Sequence, residues 1–256
     1  MKTKVFAVRN AREILRDPLS YVFALGFPVV MLVIMTIVNG SIPAEAGMKI
    51  FSLQNLAPAV VIFGYAFVML FSAILSSKDR CGAFLQRLYA APVSSAEYLA
   101  GYMLPVLVLG LGQAVITYGV AEILAVIFGE TLLSPGGMLL SLVLMLPALV
   151  LFLCFGLLFG SLFNDKSAPP LTSVLITLTS ILGGIFMDVE GLGGTLYAVA
   201  RWLPFLPAVR LGRNAVCGGA LWADMLPDLL VTVIWAAVVF AAAVAVFHRN
   251  QSQSIK

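Results

Sequence analysis

IFSLQNLAPAVVIFGYAFVMLFSAILSS, residues 50–77, carries no charged side chain and lies between Lys49 and Lys78. As a helix rising about 1.5 Å per residue, such a run is long enough to cross the roughly 30 Å hydrocarbon core of a bilayer. Lipid offers no partner to free backbone N–H and C=O groups, so a single crossing segment is helical.

Charged residues delimit its neighbours in the same way. Asp17 to Glu45 encloses the first apolar run, and Glu97 to Glu122 the third, which continues to Phe128. Glu130 to Asp165 encloses the fourth, Lys166 to Asp188 the fifth and Asp228 to His248 the last. The predicted spans are 19–40, 55–77, 98–128, 137–163, 169–187 and 227–247, each about 19 residues or longer. Composition agrees: 61% of residues are hydrophobic, 11% are charged, and mean hydropathy is +1.06. A soluble domain of 256 residues needs more charge than this to cover its surface. The expected fold is an all-α membrane protein, with residues 1–256 forming one transmembrane domain. No cleavable signal peptide is expected, because the first apolar run follows a polar start and is too long for one.

Basic residues set the orientation. Lys2, Lys4, Arg9, Arg12, Arg16, Lys78, Arg80, Arg87, Lys166, Arg249 and Lys256 fall in segments on the side of the termini. Only Lys49, Arg201, Arg210 and Arg213 fall on the other side. This bias predicts cytoplasmic termini. The net charge of +3 is too small and too scattered to argue for nucleic acid.

Enzymatic chemistry finds no support. The sequence has no Gly-x-x-x-x-Gly-Lys-Ser/Thr phosphate loop, and its single histidine is His248. Cys81, Cys154 and Cys217 are too far apart to suggest a metal or disulfide framework. No catalytic residue, resident cofactor or metal site is predicted.

Three non-spanning segments stand out. Before Pro18, helical spacing puts Ala7, Val8, Ala11, Ile14 and Leu15 on one face and Arg9, Arg12, Glu13 and Arg16 on the other. This suits a helix (residues 1–18) lying on the membrane surface, with Arg9, Arg12 and Arg16 toward lipid phosphates. Between spans two and three, Cys81, Phe84, Leu85 and Leu88 form an apolar stripe on a short helix ended by Pro92, suited to a groove on a partner or to lipid. Residues 188–228 mix Asp188, Glu190, Arg201, Arg210, Arg213, Asp224 and Asp228 with Leu, Phe, Trp and Pro. They are too charged to span and too apolar for a free loop, which predicts a re-entrant or interfacial outer segment, 188–215 at its centre.

The string CGAFLQRLYAAPVS, residues 81–94, resembles the coupling-helix segment of type-2 ATP-binding-cassette permeases. REILRDP at 12–18 followed by Phe27-Pro28 is similar to that family's elbow helix and first span, and LPFLPAVR at 203–210 to its proline-rich segment before the last span. Gln86 departs from the acidic residue such permeases often carry. The resemblance runs along the whole chain and implies the transmembrane subunit of a bacterial exporter in the inner (plasma) membrane. It implies two separate ATPase subunits that hold ATP and Mg, and a second permease, identical or paralogous. The helix at 79–92 would then contact the ATPase through Asp79, Arg80, Phe84, Leu85, Arg87, Leu88, Tyr89 and Pro92. A pathway with few charges favours a hydrophobic or amphipathic cargo such as a drug, antibiotic or peptide. A lipid or glycan is the alternative cargo, and an ion-coupled secondary transporter the alternative class.

Candidate path or gate residues are Glu122, Asp188, Glu190, Arg201 and Arg210. Glu122 is the one carboxylate inside a predicted span, facing a substrate path, pairing with an arginine of 201–213, or lying at headgroup level. Gly156-x-x-x-Gly160 reads as a close helix contact. Pro105 and Pro147 predict kinks, and Pro169-Pro170 a helix start.

Overall fold

The computed structural model describes residues 2–42, 49–81, 95–218 and 221–254. Among these residues the structure is helical, without strands. The chain runs through α1 (Lys2–Leu15), α2 (Pro18–Tyr21), a π-helical turn (Val22–Gly26), α3 (Phe27–Ser41), a 3₁₀ turn (Lys49–Phe51) and α4 (Leu53–Cys81). It continues with α5 (Ser95–Phe128), α6 (Pro135–Leu144), α7 (Leu146–Leu162) and α8 (Ala168–Leu182). Three short helices follow, α9 (Val189–Leu192), α10 (Gly194–Ala200) and α11 (Phe205–Cys217), before α12 (Trp222–Ser254).

Four segments are long and apolar enough to cross a membrane: Val22–Ser41, Leu53–Arg80, Glu97–Phe128 and Trp222–Asn250. A fifth is the broken pair α6 and α7, bent by 41° at Met145. Pro147 explains the bend, since it has no N–H and its ring collides with the carbonyl one turn earlier. Pro105, by contrast, lies inside the continuous helix α5. α8 has only 15 residues, about 22 Å of helix, and opens on Pro169 and Pro170 as expected.

α4 is the central helix. Within its most apolar window 83% is buried, against 22% for the first and last spanning segments, which leave most of their surface for lipid. Its main neighbour is α7, which also carries α12. Glycine permits the close approach. A Cβ on Gly156 would lie 2.3 Å from the Met69 carbonyl oxygen and 2.7 Å from Ser72 Cβ; one on Gly160 would lie 2.5 Å from the Ala73 carbonyl oxygen and 2.7 Å from Ser76 Cβ. The glycine pair of α7 thus meets small residues on α4.

Hydrogen bonds mark two ends of the bundle. At one end, the start of α4 meets the α5–α6 loop and α11. Glu130 accepts from the Leu53 N–H at 3.0 Å and Asn39 Nδ2 at 3.3 Å, and Arg213 donates to the carbonyls of Asn55 (3.1 Å) and Gly184 (2.8 Å). At the other end, the last turns of α4, α7 and α12 come together with α1 and the start of α5.

The mixed stretch that begins at Asp188 resolves into α9, α10 and α11. α11 is inserted rather than laid on the surface: Leu206, Ala208, Val209 and Leu211 are fully buried. A Cβ on Gly212 would meet Met145 Cε at 2.6 Å and Pro58 Cβ at 2.8 Å. The apolar half of the mixed composition in 188–228 is explained by this burial, since α11 covers the start of α4 and packs along α6.

Candidate functional site

Helix α1 docks through a stripe that shares only Ile14 with the apolar face read from the sequence. Phe6, Asn10 and Ile14, four residues apart, are its buried positions, whereas Val8 and Leu15 are exposed. Phe6 meets Tyr102 edge-on at 4.8 Å and Tyr98 at 6.0 Å, over the flat surface left by Gly101. Asn10 Nδ2 donates to the Gly101 carbonyl at 3.1 Å. α1 is therefore fixed to the first turns of α5.

Arg9, expected to face lipid phosphates, turns inward. Its Nη1 and Nη2 donate to Asp79 Oδ2 (2.5 Å) and Oδ1 (2.8 Å), a bidentate pair. Nη2 also reaches Glu13 at 2.8 Å. The Tyr102 hydroxyl donates to Asp79 Oδ2 at 2.8 Å. Asp79 is only 4% exposed and has both oxygens engaged, so it faces into the bundle rather than outward toward a partner. Burial works to lower the Arg9 pKa, but the hydrogen bond and charge of Asp79 outweigh it, and the pKa is raised. Arg12 and Arg16 remain exposed.

The next residue makes a second connection. Arg80 donates to the Ser161 carbonyl at the end of α7, and Asn250 of α12 donates to the same carbonyl at 3.0 Å. Asp79 therefore ties α4 to α1 and α5, and Arg80 ties it to α7 at a carbonyl that also holds α12. Phe84, Leu85, Arg87, Leu88, Tyr89 and Pro92 lie outside the described residues, in the segment that starts two residues beyond Arg80.

At the opposite end, Glu190 and Arg210 come together, 3.3 Å apart. Asp228 of α12 joins them, its Oδ2 being 3.1 Å from Arg210 Nε as an ion pair without hydrogen-bond alignment. Arg210 also donates to the Tyr197 hydroxyl at 3.4 Å. Arg210, Asp228 and Tyr197 line a cavity of about 310 Å³ with Arg201, Trp202 and Asp224. Arg201 lies over the Trp202 ring at 5.7 Å. Asp188 caps α9 by accepting from the Gly191 N–H at 2.9 Å. Glu122 pairs with no arginine among the described residues; it accepts from the Leu133 N–H at 2.8 Å and holds the α5–α6 turn.

Several of these residues escaped the sequence reading. Tyr102 and Ser161 sit inside apolar runs, and no spacing rule couples Arg9 to Asp79. Glu130 was read only as a boundary charge. Gln113, buried in the middle of α5, donates to Thr117 Oγ1 at 2.9 Å and is accommodated by Gly64, where a Cβ would fall 2.1 Å from Gln113 Nε2. A lone amide in an apolar run was the available signal for it.

Among the described residues no group of three or more His, Cys, Asp or Glu side chains could hold a metal. Hydrogen bonds that involve four other helices thus converge at the last turns of α4, next to the segment read as partner-facing. No curated protein matches the chain. The family model for ABC-2 family transporter proteins matches residues 43–245, most of the sequence and all helices from α4 to α11. The chain belongs to the ABC-2 transporter family, whose members are membrane components generally lacking an ATPase site of their own.

Proposed function

We propose that the chain is the transmembrane subunit of an ATP-driven exporter, working as one of two permeases above two separate ATPase subunits. The family match supports the transporter assignment and, in general, a partner ATPase. The observation that carries the rest is the pair of connections at Asp79 and Arg80. A push delivered to residues 82–94 would pass through α4 into α1 and α5 by one residue and into α7 and α12 by the next. The aliphatic and aromatic stripe Phe84, Leu85 and Leu88, with Arg87, Tyr89 and Pro92, would form the ATPase contact. Asp79 and Arg80 would relay the movement rather than touch the partner.

In this reading α8 is the fifth of six crossings despite its length, and both termini are cytoplasmic. The two chain ends lying at one end of the bundle and the excess of basic residues there support that orientation. Glu190, Arg210 and Asp228 would close the outer end. ATP and Mg would belong to the ATPase subunits. The cargo would be hydrophobic or amphipathic, a drug, antibiotic or peptide rather than a lipid or glycan. The test is vesicle reconstitution with co-expressed candidate ATPases, followed by ATP-dependent movement of a panel of fluorescent amphiphiles. Movement that requires ATP and both subunits supports the reading; movement driven by an ion gradient without ATPase overturns it.

A further inference from the structure

Docking on α5 uses only part of the apolar surface of α1. Ile14 is buried, but Leu15, the next residue, is 69% exposed. Both belong to the wall of a groove of about 380 Å³. It runs between the end of α1, Tyr21 and Leu25 at the start of the first span, and the face of α5 from Pro105 to Ile116. No charged side chain lines it. From 105 to 116 a helix rises about 17 Å, close to the depth of one leaflet of a hydrocarbon core about 30 Å thick. Val108 and Ile116 in the wall are themselves exposed, so the groove is continuous with the surface that α5 presents to lipid.

Two residues give the groove its room and its one polar feature. Gly112 lines it, and a Cβ at that position would meet no atom of the described residues within 4 Å. Glycine weakens a helix relative to alanine. Here no close packing requires it, and its effect is to leave the groove open. The Tyr21 hydroxyl is buried and has no hydrogen-bond partner among the described residues. A buried hydroxyl without a partner is costly, so the occupant should bring a polar atom to it. Tyr21 stands where the first span begins, the level at which tyrosines meet the polar edge of a bilayer. Ester carbonyls of phospholipids lie at that edge and accept hydrogen bonds without donating them.

We infer that this groove holds one acyl chain of a bilayer phospholipid, whose ester carbonyl accepts from the Tyr21 hydroxyl. The chain, not the headgroup, is recognised. Naming the leaflet as cytoplasmic rests on the orientation proposed above; the binding itself does not. A chain seated there covers Leu15 and wedges α1 against the face of α5 that Phe6 and Asn10 leave free.

Native mass spectrometry of the full chain tests the proposal, with micelles doped with equal diacyl phosphatidylcholine and its dialkyl-ether counterpart, which lacks the carbonyl. The wild type should retain one phospholipid and favour the diester by about fivefold, the worth of one neutral hydrogen bond. Tyr21→Phe should abolish the preference while still retaining lipid. Gly112→Trp, which fills the groove, should lose the lipid, whereas Gly119→Trp, on the same helix and outside the groove, should keep it. Gly112→Leu should show the same loss in a smaller side chain, should the tryptophan variant fail to fold. A wild type that retains no phospholipid, or that holds diester and diether equally, overturns the proposal. So does a Gly112 variant that retains as much lipid as Gly119→Trp. A fluorescent amphiphile that displaces phosphatidylcholine at equal concentration would mark a cargo site and overturn it. A change in dimer fraction with no change in lipid would mark a contact between copies and overturn it as well. None of these readouts depends on an ATPase, so failure here leaves the exporter reading standing.

Discussion

Arg9 and Asp79, separated by 70 positions in sequence, face each other through two N–H···O bonds of 2.5 and 2.8 Å. The planar guanidinium fork matches the carboxylate in a way that a lysine cannot. Because Tyr102 donates to the same carboxylate, three helices share one anion. The pair should therefore behave as a unit. Unfolding of Asp79→Asn, Arg9→Gln and the double variant should give a coupling energy of about 1–3 kcal/mol. Additive losses would mean that the two side chains stabilise the bundle independently.

The contact between α4 and α7 makes a sharper steric demand. Gly156→Val would drive a branched side chain into the Met69 carbonyl and Ser72, and should destabilise by about 1–3 kcal/mol, more if the helices separate. Gly119→Ala is the control, since no atom lies within 4 Å of its Cβ position, and helix propensity predicts a slight gain. Thermal unfolding in detergent reads both.

Glu122 and Glu130 should act as structural acceptors. Glu122→Gln keeps a carbonyl oxygen for the Leu133 N–H and should leave both stability and transport near wild type. Glu130→Ala removes the acceptor for the first turn of α4 and should lower stability by about 0.5–2 kcal/mol, as loss of a helix cap does. Altered transport in Glu122→Gln at unchanged stability would return that carboxylate to the substrate path.

At the opposite end, Arg210 lies between Glu190 and Asp228. Arg210→Met should be more harmful than Arg210→Met combined with Asp228→Asn, because the single change leaves a nearly buried carboxylate without its counter-charge. Unfolding temperatures of the two variants decide this. A double variant no better than the single would show that Asp228 is well solvated despite its burial.

The sequence revealed what depends on local chemistry. Charge-free runs gave the long helices, Pro147 the break in the fourth, Pro169-Pro170 the start of α8, and Gly156 and Gly160 the close approach to α4. Features decided by distant partners are not legible in it. The apolar face of α1 runs through Ala7, Val8, Ala11, Ile14 and Leu15, but only Ile14 of these is buried, beside Phe6 and Asn10, which Gly101 and the tyrosines of α5 select from a distance. Arg9 was assigned to lipid because nothing within a helical turn announces a carboxylate 70 positions away. Glu122, for which a substrate path, an arginine partner and headgroup level are all open in the sequence, accepts from a loop backbone N–H that carries no side-chain signature.

The central claim is that residues 82–94 engage an ATPase whose movement enters the bundle at Asp79 and Arg80. Copurification of the detergent-solubilised chain with co-expressed candidate ATPases, comparing wild type with Phe84→Asp, tests it most directly. The wild type should retain an ATPase subunit, and Phe84→Asp should lose it at an unchanged unfolding temperature. A wild type that retains none, or a variant that retains as much, would contradict the account.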